Sequence, residues 1–372
     1  MTGSGSRRAV KTRPTVAVIA LDAIRHNIRL LKPKGSELMA VVKANAYGHG
    51  DAPVARAALE AGATWLGVAA IEEGSGLREA GIDARILMLS EFPRGAEREG
   101  LAADLTPTLY TEDGLKALAA ASREPVPVHI KVDTGMHRVG LPSDRVPEFA
   151  RAVMDAGLFP EGLWTHFAKA ELLGDPLSAQ QLQALRQAMR ELEGMGIRPR
   201  YVHAANSAAT MALQDSHFDL VRTGIAMYGI LPGPDLPDPG LRPAMSWRSA
   251  VTLVKRVAPG EGISYGHQYR VKNDSTIATV PVGYADGYSR LLSNRGEVVI
   301  RGRRHPVAGA VTMDHIMVDC GDRPVEAGDT VTLLGIEGDA RVTAEDMAGW
   351  MGTIPYEVVC GVSERVPREY VG

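Results

Sequence analysis

The chain has 372 residues, more than one hydrophobic core usually organises, so a large domain with a smaller satellite is the first expectation. Its 45% hydrophobic and 23% charged content fit a water-soluble globular protein, and a net charge of -3 gives no electrostatic reason to bind nucleic acid. Cys320 and Cys360 lack the close pairing of a zinc site or a disulfide framework, and no run of about eighteen apolar residues marks a membrane span. A cytoplasmic, metal-free protein acting on a small molecule is therefore expected.

Residues 1–13 read as a frayed, positively charged tail. Leu21, Ile24, Ile28 and Leu31 share one helical face, which predicts a helix over Leu21–Leu31 that covers an outer wall. From Leu38 to Arg222 short apolar runs alternate with amphipathic stretches, the pattern of a parallel sheet wrapped by helices. The runs are Leu38–Lys43, Trp65–Ala69, Ile86–Leu89, Leu105–Leu109, Pro127–Val132, Gly162–His166, Arg200–Ala204 and Asp219–Arg222. Eight strand–helix repeats is the number that closes a TIM (β/α)8 barrel.

The best-marked helix is predicted over Ser178–Glu193, with Leu182, Leu185, Met189 and Leu192 on one face, a capping box of Ser178 and Gln181, and Gly194 as its stop. The run LPGPDLPDPGLRP disfavours regular structure and places a boundary near Pro243. This divides the chain into the tail, a barrel domain over 14–243 and a β-rich domain over 244–372. Beyond the boundary SWRSAVTLVKRV, STIATVPVGYA, GEVVIRG, AVTMDHIMVDC and DTVTLLG alternate and are rich in β-branched residues. Only Thr343–Met351 there reads as a short helix.

Barrel active sites are built at the C-terminal ends of the strands, so polar residues there are the candidates. Lys43 ends the first run in MAVVKANAYGHG, where glycines allow a sharp turn. A lysine taken out of water loses its charge easily, which suits imine chemistry; a lysine that escapes to solvent is the plain alternative.

The segment VVKANAYGHG resembles the cofactor-lysine motif of alanine racemases, pyridoxal-phosphate enzymes of bacteria. IKVDTGMHRVG, THFA, AANSAA, RTGIAMYG, ISYGHQY, VPVGYADGY, TMDH and GTIPYEV resemble further motifs of that family, in family order along nearly the whole chain. The resemblance implies a barrel followed by a smaller β domain, and Lys43 as the residue that holds pyridoxal 5'-phosphate as a Schiff base. It implies that Tyr47, Asn206, Ser207, Gly224, Ile225 and Tyr356 bind the cofactor, chiefly its phosphate, while His166 lies against the ring. Backbone amides in glycine turns with added hydroxyls suit such an anion, although Ser207 also reads as a helix N-cap. Arg222 is implied to face the pyridine nitrogen, supported by His203; a poor proton donor there weakens the ring as an electron sink.

Racemisation needs a base on each face of the substrate Cα. The resemblance supplies Lys43 for one face and Tyr265 for the other, the tyrosine arriving from the partner subunit of a homodimer. Arg138 is implied to steer the substrate carboxylate and to help the phenol ionise, and Lys131 to orient Arg138, as a carbamate in some relatives. A salt bridge to Asp133 is the plain reading of Lys131, and one to a surface carboxylate that of Arg222. Tyr284, Met313 and Asp314 fall at substrate-side positions.

Thr312, His315 and Pro355 stand where the family pattern has Cys, Gln and Asn, which bears on substrate preference more than on reaction type. Alanine is the expected substrate, with serine or broad-specificity racemisation as the alternative. A basic amino-acid decarboxylase on the same architecture would want a carboxylate in place of Arg222 and a cysteine in place of Thr312. A non-catalytic carrier of the cofactor would lack the domain that brings Tyr265.

Overall fold

The computed structural model describes residues 13–372, in two compact units. The expected tail lies outside the described residues except for Arg13. One unit is Ala20–Ala244; the other joins the described residues before Ala20 to Met245–Val371.

The first unit is a parallel barrel. All eight expected runs contain strands, at Glu37–Val41, Trp65–Val68, Arg85–Met88, Leu105–Thr106 with Thr108–Leu109, Pro127–Asp133, Phe159–Trp164, Tyr201–His203 and Leu220–Thr223. The fourth is split by Pro107, which has no N–H for the ladder; its first half pairs with Arg85–Met88 and its second with Pro127–Asp133. The seam between the seventh and eighth strands is closed by the Asp219 N–H donating to Val202 O (3.1 Å) and the Arg222 N–H to Ala205 O (3.0 Å). Inside, Met39, Trp65, Leu87, Tyr201 and Leu220 form one buried cluster.

The helix Leu21–Leu31 stands where its spacing predicts, and its buried Asn27 donates to Met227 O and Arg242 O. The later helix runs Pro176–Gly194 rather than Ser178–Glu193. Asp175 is its N-cap, accepting from the Leu177 N–H, and Pro176 fills the first position where an N–H is dispensable. Its buried stripe is Ser178, Gln181, Leu185, Ala188 and Leu192, about one residue round from the expected face, because Gln181 turns inward for hydrogen bonds.

The second unit is mostly β. A seven-stranded sheet has the order Arg303–Pro306, Glu297–Ile300, Thr330–Glu337, Met245–Ala250, Val16–Ala20 and Arg368–Val371, with Ala340–Val342 on the side. Val16–Ala20 was expected within the barrel domain; instead it pairs antiparallel with Met245–Ala250, Val16 opposite Arg248. Its alternation marks a strand but not its partner. A second sheet joins Leu253–Val257, Ser275–Val280 and Ile316–Asp319, and a small hairpin pairs Gly262–Ile263 with Tyr269–Arg270. The expected helix is Ala344–Met351 with Thr343 as cap; a second helix, Pro355–Cys360, was not foreseen.

Candidate active site

Lys43 follows the first barrel strand and opens a turn of unusual hand. Ala44, Asn45, Ala46 and Tyr47 have φ of 52°, 52°, 50° and 53°. The Gly48 N–H donates to Ala44 O (3.0 Å), so this is one turn of left-handed helix. Each L-residue so held costs about 1–2 kcal/mol. Glu73 helps fix it, with Oε1 accepting from the Ala44 N–H (2.6 Å) and Oε2 from the Ala69 and Ala70 N–H groups.

The turn carries Tyr47 into the barrel mouth. A Cβ on Gly224 would lie 2.6 Å from Tyr47 Oη, so glycine lets the phenol approach this backbone. Ser207 Oγ accepts from the Gly224 N–H (2.9 Å) and the Ala226 N–H (3.3 Å). Ser207 is the first helical residue; the N-cap is Asn206, whose Oδ1 accepts from the Ala209 N–H. Ile225 is buried in the following single turn. Phenol, hydroxyl and amides thus gather as an anion requires, and these residues fit the phosphate of pyridoxal phosphate.

Arg222 stands one residue before the end of the eighth strand, with 3% of its surface exposed. Its Nη1 donates to His203 Nδ1 (2.9 Å), and Nη2 to Thr165 O (2.8 Å), Ala204 O (3.0 Å) and His166 Nδ1 (3.2 Å). None of these acceptors is a carboxylate, so the surface ion pair is not its role. Burial lowers its pKa to about 9, which leaves it a cation at neutral pH. Arginine only donates, so His203 Nδ1 accepts and its proton sits on Nε2. That N–H meets His129 Nδ1 at 2.9 Å, and His129 Nε2 in turn faces Glu161 Oε2 at 3.8 Å. Glu161 is paired with Arg85, whose guanidinium lies 4.0 Å from the Trp65 ring centroid. A directional hydrogen-bonded chain therefore runs through the barrel from Arg222 through His203 to His129, with Glu161 facing its end beyond hydrogen-bond distance. Burial first, then the positive neighbour Arg222, hold His166 and His203 well below the ordinary imidazole range. Burial also lowers His129, against the pull of Glu161.

Lys131 is 3% exposed, its Nζ 3.6 Å from the Trp164 ring centroid. Burial and then Arg222 and Arg138 lower its pKa to about 6, so the amine is neutral at physiological pH. Asp133 spends its carboxylate on the loop instead, accepting from the Gly135, Met136 and His137 N–H groups and facing His137 Nδ1 (3.1 Å). That loop carries the exposed Arg138. Gln181 braces half-buried His166 by donating to its carbonyl (3.0 Å).

His129, Glu161, Arg85, Glu73 and Gln181 support the site without being marked for it by any sequence motif. His129 had a signal: it stands two residues before Lys131 on one strand and so shares its inward face. Glu161 and Arg85 come together only through barrel closure, and Gln181 was taken for a cap.

The remaining candidates belong to the second unit. Tyr265 is at the tip of the small hairpin, 74% exposed, between Ser264 and Gly266, both at positive φ. It shares a hollow of about 580 Å³ with His267, Thr312 and His315. The Tyr284 and Ala285 N–H groups donate to Thr312 O (3.0 Å) and Met313 O (3.1 Å), so Tyr284, Met313 and Asp314 lie on two cross-bonded loops. Half-buried Tyr356 stands on the helix Pro355–Cys360, where Pro355 fills a terminal position that suits it.

The barrel groups converge at the C-terminal ends of the strands, where barrel enzymes carry their chemistry, and the chain is of that class, with a β unit attached. Comparisons with known proteins are specific about which. Residues 19–232 match the alanine racemase N-terminal domain and residues 244–370 the alanine racemase C-terminal domain. An alanine racemase of Symbiobacterium thermophilum is 48% identical, covering 97% of this chain and 98% of its own length, and one of Geobacter sulfurreducens is 44% identical over 97% and 98%. The alanine racemase from D-cycloserine-producing Streptomyces lavendulae matches with a TM-score of 0.92 at 43% identity, covering 98% of both chains. That of Bacillus anthracis with bound L-Ala-P gives 0.92 at 39%, over 98% of this chain and 96% of its own. The chain belongs to the alanine racemase family and is an isomerase acting on amino acids. No helix among the described residues is long and apolar enough to cross a membrane.

Proposed function

We propose that the chain interconverts L- and D-alanine with pyridoxal 5'-phosphate, by a two-base proton transfer between Lys43 and Tyr265, and supplies D-alanine for cell-wall peptidoglycan in the cytoplasm. The observation that carries the reading is the setting of Arg222, a buried cation held by imidazoles and carbonyls. When bound, pyridoxal phosphate draws electron density from the Cα of an amino acid and acidifies its proton. Arg222 would face the ring nitrogen and, because it keeps its proton at neutral pH, would moderate that pull. Return of a proton to the same carbon is then favoured over loss of other groups.

Lys43 holds the cofactor through Nζ, and afterwards that amine takes or gives the Cα proton on one face. Tyr47, Asn206, Ser207, Gly224, Ile225 and Tyr356 hold the phosphate end, and His166 flanks the ring. Tyr265 serves the opposite face, and Arg138 binds the substrate carboxylate while its charge makes the phenol easier to ionise. Lys131 and His203 steady the two arginines. Tyr284, Met313 and Asp314 line the substrate side. The exposed hairpin tip supports a homodimer in which each site takes Tyr265 from the partner subunit.

The test is to incubate purified protein and cofactor with single L-amino acids and to separate the enantiomers by chiral chromatography. Alanine should racemise fastest, serine more slowly, and bulky or charged amino acids poorly, because Tyr265 and Tyr356 would crowd the space beyond Cβ. Equal turnover of lysine or arginine would overturn the specificity, and no racemisation at all the reaction.

A further inference from the structure

The first described residues reach deep into the second unit. Arg13 Nη1 donates to Asp286 Oδ1 (2.8 Å), and Nη2 donates to Asp286 Oδ2 (3.0 Å) and to Pro281 O (3.0 Å). Thr15 Oγ1 donates to the same Pro281 carbonyl (2.9 Å). These bonds close 266–273 residues of sequence onto the segment that carries Tyr284.

Asp286 is 0% exposed and is the hub of that segment. Its Oδ2 also accepts from the Gly283 N–H (3.0 Å), which closes the single turn Tyr284–Asp286. Arg365 Nε lies 3.5 Å from Asp286 Oδ1, while its Nη2 donates to Asp314 Oδ1 (2.8 Å). A Cβ on Gly283 would come within 2.3 Å of the Thr312 and Met313 carbonyl oxygens, so the two loops are already in closest approach. The Arg13 fork, Asp286, Arg365 and Asp314 thus form one line of alternating charge that ties the Tyr284 turn to the loop of Met313 and Asp314.

A buried carboxylate needs compensation, and a guanidinium fork fixes direction as well as charge. With Arg13 gone, Asp286 would keep only Arg365, which approaches at 3.5 Å and is also committed to Asp314. The turn beneath Tyr284 would then be free to shift against the 312–314 loop. Arg13 touches no reacting atom, and Lys43 and Tyr265 stand on other segments, so the weakened step is substrate binding rather than proton transfer.

We propose that Arg13 is a positioning residue for the substrate side of the site, holding the Tyr284 turn in register with Met313 and Asp314 through Asp286. This rests on the reading that those three residues face the substrate. The experiment is steady-state racemisation in both directions by holoenzyme carrying Arg13→Ala, Arg13→Lys or Tyr284→Phe. Arg13→Ala should raise KM for L- and D-alanine about tenfold with kcat within about twofold of wild type, and Arg13→Lys should recover part of the KM. If Arg13→Ala does not fold, Arg13→Lys and Arg13→Gln decide by the same split, each expected to raise KM at least threefold. Unchanged KM in the folded variants, or a fall in melting temperature and activity without a change in KM, overturns the proposal. Tyr284→Phe separates the causes: a raised KM there leaves the substrate-side reading standing while Arg13 falls, and an unchanged KM brings down both.

Discussion

Lowering the pH from 6.5 to 5.5 is a direct probe of the barrel interior. His129, His166 and His203 all have imidazole pKa values pushed down in the folded protein, burial being the largest cause for each. An unfolded imidazole has a pKa of about 6.5, so below that value the unfolded chain binds protons that the folded chain refuses. Stability is therefore full above pH 6.5 and is lost as the pH falls. A histidine that stays neutral in the fold contributes RT ln(11/2), about 1 kcal/mol, over this unit, so His166 and His203, held well below the ordinary range, predict a loss of about 2 kcal/mol, to which His129 adds. His305 and Lys131, both also lowered by burial, are taken out of the sum by repeating the measurement in a protein carrying His305→Gln and Lys131→Met. The assay is urea unfolding of the cofactor-free protein at pH 6.5, 6.0 and 5.5 and one protein concentration, with the slope against urea checked for constancy. A loss below about 1 kcal/mol would mean that both His166 and His203 accept a proton inside the fold, and the directional chain from Arg222 to His129 would be wrong.

Four further outcomes are expected. Borohydride reduction of the yellow protein and peptide mapping should place the pyridoxyl label on Lys43; a label on another lysine refutes its role. Lys43→Ala and Tyr265→Ala should each be nearly inactive, yet reassembly of an equal mixture should recover about a quarter of wild-type activity, since half the dimers are mixed and each has one intact site; mixed dimers without activity would exclude a shared site. Gly162→Ala places a Cβ 2.3 Å from the His129 ring, so the ring must leave His203, and urea unfolding should show a loss of about 1–3 kcal/mol; unchanged stability refutes this packing. Because the Lys131 amine is neutral above about pH 6, ¹³C-bicarbonate at pH 8 should give a carbamate carbon resonance that Lys131→Met abolishes; a resonance surviving in the variant refutes that site.

The barrel was legible because parallel strands covered on both faces read as short apolar runs, and all eight stood out. What is set by distant partners was not. Val16–Ala20 alternates as a strand should, but nothing local names Met245–Ala250 as its neighbour. Asp175 and Pro176 outcompeted Ser178 and Gln181 as the start of their helix because Gln181 is drawn to His166 and Ala168. In the site, Lys43, Tyr47, Ser207, Arg222 and Gly224 were found as motif residues and do converge in the barrel mouth. The Arg222–His203–His129 chain was half hidden, since His129 lies 74 residues from His203 in sequence. Arg13 was read as tail because its partner Asp286 is 273 residues away.

The reversed turn after Lys43 has a consequence for anyone trying to make the protein more heat-resistant. Four residues with side chains, at φ near 50°, together store on the order of 4–8 kcal/mol of backbone strain. Glycine, which normally weakens a fold, pays almost nothing in this conformation. A selection for thermal survival alone would therefore draw glycine into positions 44 and 46, against the usual trend. The variants so enriched would hold Lys43 on a slacker tether, and heat tolerance and turnover would be pulled apart at one stretch of four residues.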